Sequence, residues 1–97
     1  TMMVGNVCIV KHAPNIPETT LAISKLMKEA GFDERIFTTV FASHVQIEDI
    51  IKHKFVKGVS LTGSGRAGSI IASLAGQHLK KVVLELGGSY PYLLSKY

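Results

Sequence analysis

Within eight residues, Leu61-Thr62-Gly63-Ser64-Gly65-Arg66-Ala67-Gly68, the chain passes from an apolar strand-forming run through a glycine-rich turn into a segment with helical spacing. Such a junction leaves backbone N–H groups at the helix start without partners, facing outward, where a pyrophosphate can accept them. The pattern Gly63-x-Gly65-x-x-Gly68 matches the dinucleotide fingerprint and stands where that fingerprint has to stand, between strand and helix. Glycines there also serve a tight turn and close helix packing with no ligand at all. Further on, Leu84-Glu85-Leu86-Gly87-Gly88 sets one carboxylate among apolar neighbours, so a buried acid is expected. Glu85 lies near the spacing at which a ribose-binding carboxylate would follow. The turn Leu86-Gly87-Gly88 comes at once, however, and a turn that lets another group approach suits a general base better. Together the two segments point to a nucleotide-linked redox site.

The rest of the chain alternates strand and helix around that junction. Val7 to Val10 is a continuous apolar run, the pattern of a strand covered on both faces. Pro17 suits a first helical turn, Glu18 complements its dipole, and Ile23, Leu26, Met27 and Ala30 recur at helical spacing until Gly31. Ile36 to Phe41 reads as a second strand, Gln46 to His53 as a short helix with Ile47, Ile50 and Ile51 inward, and Val59 to Thr62 as a third strand. Ala67 to His78 forms a third helix with Ile70, Ile71, Leu74 and Ala75 on one side. Val82 to Glu85 is a fourth strand, and Tyr92 to Leu94 begins a fifth. This order predicts an α/β fold in three layers, a mostly parallel sheet of four to five strands with covering helices.

Size and charge narrow the classes. With 97 residues there is room for one small domain and no second one. The chain opens on a strand and closes just after another without polar flanks, as a piece of a larger domain would. The net charge of +4 comes from Lys and Arg scattered singly or in pairs, with no aromatic platform among them, so no nucleic-acid partner is expected. The single cysteine, Cys8, allows no internal disulfide and suits a reducing compartment, with the cytoplasm as the default. No signal peptide or membrane span is expected. His12, His44, His53 and His78 have no metal-ligand spacing, so no metal is expected. Ser64 has no neighbouring His and Asp and is no nucleophile.

Three segments carry a resemblance. Val10-Lys11-His12-Ala13 is similar to a strand ending in Lys-Pro-Ala, Leu61-Thr62-Gly63-Ser64 to a Phe-Thr-Gly-Ser turn, and Glu85 to Gly88 to a Glu-Leu-Gly-Gly motif, all features of the aldehyde dehydrogenase family. Their order and separation fit the central part of that family's Rossmann-like cofactor domain over essentially the whole chain. Lys11-His12-Ala13-Pro14-Asn15, Gly65-Arg66-Ala67-Gly68 and Leu79-Lys80-Lys81 look most like the succinate-semialdehyde branch.

The resemblance implies a soluble NAD- or NADP-dependent oxidoreductase that turns an aldehyde, here succinate semialdehyde, into the acid, and exposed apolar sheet edges lead to the expectation of a homo-oligomer. It implies that Lys11, with Ala13 and Pro14 beside it, meets the adenosine ribose or its 2′-phosphate. Thr62, Gly63 and Ser64 would receive the pyrophosphate, with Gly68 allowing close packing, and Leu86 and Gly87 would lie beside the nicotinamide. Glu85 would activate the hydrolytic water or the thiol. In that chemistry a thiolate attacks the aldehyde, hydride leaves for the cofactor, and water releases the acid.

Two departures qualify the resemblance. Pro14 stands where many members place a ribose-binding Glu, which removes a carboxylate that would repel a 2′-phosphate and makes NADP use plausible. The family's nucleophilic cysteine lies well downstream of Glu-Leu-Gly-Gly, and Cys8, mid-strand, does not replace it. The chain alone is therefore expected to bind nucleotide at most. The alternative from another class is a non-catalytic α/β module that self-associates or binds a partner through open sheet edges.

Overall fold

The computed structural model describes residues 1–88 and Lys96. Chain contacts gather into two compact units, Thr1–Ser43 and His44–Tyr97. Each contains one parallel strand pair and the helix that crosses between its strands.

In the first unit, strand β1 (Cys8–Lys11) pairs in parallel with β2 (Phe37–Val40), from Cys8 beside Phe37 to Lys11 beside Val40. Helix α1 (Pro17–Glu29) makes the crossover, with Pro17 in its first turn as expected. Its inward stripe differs from the expected one. Thr20 is buried, Ser24 and Met27 are half-buried, and Ile23 and Leu26 are exposed. Hydroxyls can face inward because Thr20 and Ser24 both donate back to carbonyls one turn earlier, Ile16 at 3.4 Å and Thr20 at 3.1 Å. Ser24 Oγ then meets Thr39 Oγ1 of β2 at 2.6 Å, tying helix to strand. Strand β1 is covered on one side only: Cys8 and Val10 are half-buried and Ile9 is exposed.

In the second unit, α2 (His44–Lys52) precedes β3 (Gly58–Gly63), α3 (Gly65–Gln77) and β4 (Lys81–Leu86). Strands β3 and β4 run parallel, Gly58 beside Lys81 through Gly63 beside Leu86. Strand geometry sends successive side chains to opposite faces. Val59, Leu61, Val82 and Leu84 are half-buried, while Ser60, Thr62, Val83 and Glu85 are exposed. In α2, Ile51 is buried and Ile47 and Ile50 are half-buried, as the spacing predicts. In α3, Gly68 and Ala75 are buried and Ile71 and Leu74 half-buried, but Ile70 is exposed. Among the described residues the strands form two hydrogen-bonded pairs. The expected fifth strand at Tyr92 to Leu94 lies outside the described residues. No helix among those described is long and apolar enough to cross a membrane.

Helices α1 and α3 end in the same way with different residues. After α1, Gly31 adopts φ 87°, donating to Lys28 O, and Phe32 N reaches back to Met27 O. After α3, Leu79 adopts φ 52°, donating to Gly76 O, and Lys80 N reaches Ala75 O. Both are Schellman endings, whose left-handed position favours glycine. A leucine there carries the Cβ clash that glycine avoids, and its side chain is 94% exposed, so little packing offsets the strain. Leu79→Gly is expected to raise stability by about 0.5–1 kcal/mol, read as a higher urea midpoint. An unchanged or lowered midpoint would show that the Leu79 side chain contributes contacts that outweigh the strain.

Candidate functional site

Seven of the ten expected site residues meet at the C-terminal ends of β3 and β4. Gly63 closes β3, and Ser64 caps α3, its Oγ accepting the Ala67 N–H at 3.2 Å. The cap satisfies one helix-end donor, while the N–H groups of Gly65 and Arg66, at the first two helical positions, have no carbonyl four residues back within the helix. Ser64 Oγ accepts in this bond, so its own proton remains free to donate. Gly63 O accepts from Gly87 N at 3.2 Å, joining the two glycine segments at the strand ends.

The three glycines of the fingerprint have different reasons for being glycine. A Cβ on Gly68 would lie 2.6 Å and 2.7 Å from the two Cδ atoms of Leu86, so helix and strand approach there only because a side chain is missing. A Cβ on Gly65 would meet nothing within 4 Å, and one on Gly63 would come no nearer than 3.9 Å, to Ala67 Cβ. Neither adopts a positive φ. Among the described residues nothing demands glycine at these two positions, and the space in front of Gly65 is open to an approaching group.

Glu85 differs from its expected environment. It is exposed, beside Thr62 in the strand register. Its apolar neighbours Leu84 and Leu86 suggested burial, but alternation turns their side chains to the face where Gly68 of α3 packs on Leu86 and sends Glu85 to the opposite face. Thr62 is exposed on that face too, and Leu86 is 40% exposed.

Lys11, Ala13 and Pro14 belong to the first unit and form a group of their own. Lys11 ends β1, half-buried. Ile16 N donates to Ala13 O at 3.1 Å, so Ala13 to Ile16 is a turn with Pro14 at its second position, where a fixed φ is favoured. Lys11, His12 and Pro14 line a shallow cavity with Val40, Phe41 and Ala42. His12, for which the sequence offers no role, has a structural one. Its ring packs edge-on to Phe41 with centroids 4.7 Å apart. Its Nδ1 lies 2.7 Å from Ala13 O, and a carbonyl only accepts, so Nδ1 carries the proton. The pairing of His12 with Phe41 spans 29 positions, and no local pattern announces it. Among the described residues, no group of three or more His, Cys, Asp or Glu side chains could hold a metal ion.

Comparison with known proteins bears on this arrangement as a whole. A succinate-semialdehyde dehydrogenase [NADP(+)] of Deinococcus radiodurans is 47% identical over 93 residues, 96% of this chain and 20% of that protein. The protein of the same description from Mycobacterium avium is 40% identical over 93 residues, with the same shares. The crystal structure of succinic semialdehyde dehydrogenase from Streptococcus pyogenes in complex with NADP+ matches with a TM-score of 0.86 at 44% identity, covering 89% of this chain and 19% of that one. The chain thus spans about a fifth of the length of the curated relatives it matches. The aldehyde dehydrogenase family model matches residues 1–96, a span that takes in both strand pairs, the capped glycine turn and the Glu-Leu-Gly-Gly segment, and the chain belongs to the aldehyde dehydrogenase family.

Proposed function

We propose that this chain is the nucleotide-holding part of an NADP-dependent, cytoplasmic aldehyde dehydrogenase that oxidises succinate semialdehyde, and that by itself it binds the nucleotide without turning over substrate. The observation that carries the reading is the contrast among the glycines: Gly68 is explained by Leu86, while a side chain at Gly63 would meet no clash and Gly65 faces open space at a capped helix start. A pyrophosphate fits such a place, because it needs backbone to approach closely and donors that point outward. The NADP-linked names of the relatives support the choice of cofactor and substrate.

In this reading the free N–H groups of Gly65 and Arg66 and the Ser64 hydroxyl proton bind the pyrophosphate oxygens. Lys11 meets the ribose 2′-phosphate, with the Ala13–Ile16 turn shaping the backbone beside it. When bound, the nicotinamide supplies the hydride acceptor. Leu86 and Gly87 border it, and Glu85, free of packing, is the base that takes a proton from water or thiol. The only thiol in the sequence, Cys8, is a strand residue of β1 whose N–H is tied to Ile36 O at 2.8 Å, which suits a structural side chain.

Titration of the chain with NADPH, followed by nicotinamide fluorescence, is expected to saturate. Gly65→Val serves as the control, since its side chain enters open space and should leave stability within about 0.5 kcal/mol while weakening NADPH at least about tenfold. Glu85→Gln is expected to keep the NADPH Kd within about twofold, as befits a base that acts on chemistry and does not hold the ribose. A folded chain that fails to bind NADPH, or a Gly65→Val chain that binds as well as the parent, overturns the proposal.

A further inference from the structure

Cations that are spread along the sequence converge in the second unit. Residues 44–97 contain seven Lys and Arg against three Asp and Glu, whereas residues 1–43 hold four of each, so the net +4 of the chain resides entirely in its second part. Most of these cations lie at the end of the β3–β4 pair where the strands begin. Lys81 starts β4 beside Gly58, and its N–H donates to Lys57 O at 3.2 Å. Lys57 Nζ donates to Lys54 O at 3.0 Å, and Lys80 Nζ reaches His53 O at 3.0 Å across 27 residues. Lys52 is neutralised by Glu48 at 2.7 Å, a hydrogen bond that also holds the Glu48 carboxyl below its usual range. Lys54, Lys57, Lys80 and Lys81 are in no ion pair among the described residues.

An aromatic ring stands among them. Phe55 is 74% exposed, its ring 5.2 Å from Lys54 Nζ and 5.4 Å from the centroid of the His53 ring. An exposed ring of this size, held between basic side chains, corrects the expectation that no aromatic interleaves with the cations. The second unit contributes no arginine to the patch, since its Arg66 lies in the first turn of α3, just beyond the far end of β3. Ammonium groups attract phosphates as point charges and lack the rigid bidentate fork with which a guanidinium selects among planar acceptors. The open glycine turn is about 16 Å away along β3, at 3.3 Å per residue, so the patch is separate from the proposed cofactor site.

We propose that this face binds single-stranded nucleic acid without sequence preference, with the four unpaired lysines on the phosphates and the Phe55 ring stacked on a base. Both parts are used in that mode: a stacking ring requires bases that are already unpaired, and a row of ammonium groups follows a flexible backbone. An acidic peptide would use the lysines and leave the ring idle.

The test is fluorescence anisotropy of a labelled 12-mer oligouridylate with the full chain, in saturating NADPH so that the nucleotide site is not the one measured. Four phosphate contacts on a single strand give a log–log salt slope of about −2.8, a loss of about fiftyfold in affinity from 50 to 200 mM salt. Lys54→Gln with Lys57→Gln is expected to halve that slope, leaving a loss of about sevenfold over the same range. Phe55→Ala is expected to weaken binding about tenfold with the slope unchanged. These positions are exposed, and circular dichroism confirms that the variants remain folded. Absence of oligonucleotide binding overturns the proposal. So does binding that ignores Phe55, or equal affinity for polyglutamate or phosphatidylserine vesicles, which would assign the patch to an acidic protein or a membrane surface.

Discussion

Gly68→Val is expected to lower stability by about 2 kcal/mol, at the middle of the range for overpacking a filled site. The added Cβ alone would stand 2.6 Å from a Leu86 methyl, and the two further methyls of valine have the same neighbour. Helix propensity works in the opposite direction, since glycine inside a helix costs up to about 1 kcal/mol relative to alanine. Gly68→Ala is therefore expected to come out near neutral, with the 40% exposed Leu86 swinging aside. Urea unfolding followed by circular dichroism measures both. The decisive control is the double variant Gly68→Val with Leu86→Ala. If the clash with Leu86 is the cause, the second change restores about 1 kcal/mol or more of what the first removes. Additive losses would mean that Gly68 matters for another reason. The same clash disqualifies Gly68→Val as a test of nucleotide binding, because it disturbs the packing beneath the glycine turn, and Gly65 is the cleaner position.

Pro14→Glu is expected to weaken NADPH by about tenfold relative to NADH, about 1.4 kcal/mol of like-charge repulsion against the 2′-phosphate. Pro14 also has a local role, fixing φ at the second position of the Ala13–Ile16 turn, so any substitution there loosens the turn. Pro14→Ala loses the ring without adding charge and isolates that contribution. The ratio of the two Kd values is the proper readout, because loosening of the turn affects both nucleotides alike. A ratio that Pro14→Glu leaves unchanged would remove the electrostatic explanation for NADP use. A ratio that shifts equally in Pro14→Ala would assign the preference to backbone shape.

Much of this arrangement is legible in the order of residues. Pro17 and Gly31 mark helix ends because ring geometry and left-handed φ are properties of a residue and its near neighbours, whereas the Ser64 cap starts α3 at Gly65, two residues before the expected Ala67. The glycine turn stands between strand and helix as its pattern requires. Glu85 shows the limit of that kind of reading. Apolar neighbours on both sides suggest burial, but in a strand the immediate neighbours point the other way, and the fate of a side chain depends on what covers its own face. Helix α1 shows it again. The apolar residues Ile23 and Leu26 face outward, while Thr20 and Ser24, satisfied by their own helix, turn to β2.

The succession of elements and the chemical character of the glycine turn are legible from the residues alone, because both follow from interactions within one or two turns of chain, and the alternation of strand and helix then implies parallel pairing. Which glycine is needed for packing, which faces stay open, that His12 rests on Phe41, and that Lys80 reaches the carbonyl of His53 from 27 residues away emerge from the folded arrangement alone. Those depend on register and crossover, which bring together residues that no local periodicity relates, and their energies are set by distance in space and not by distance along the chain.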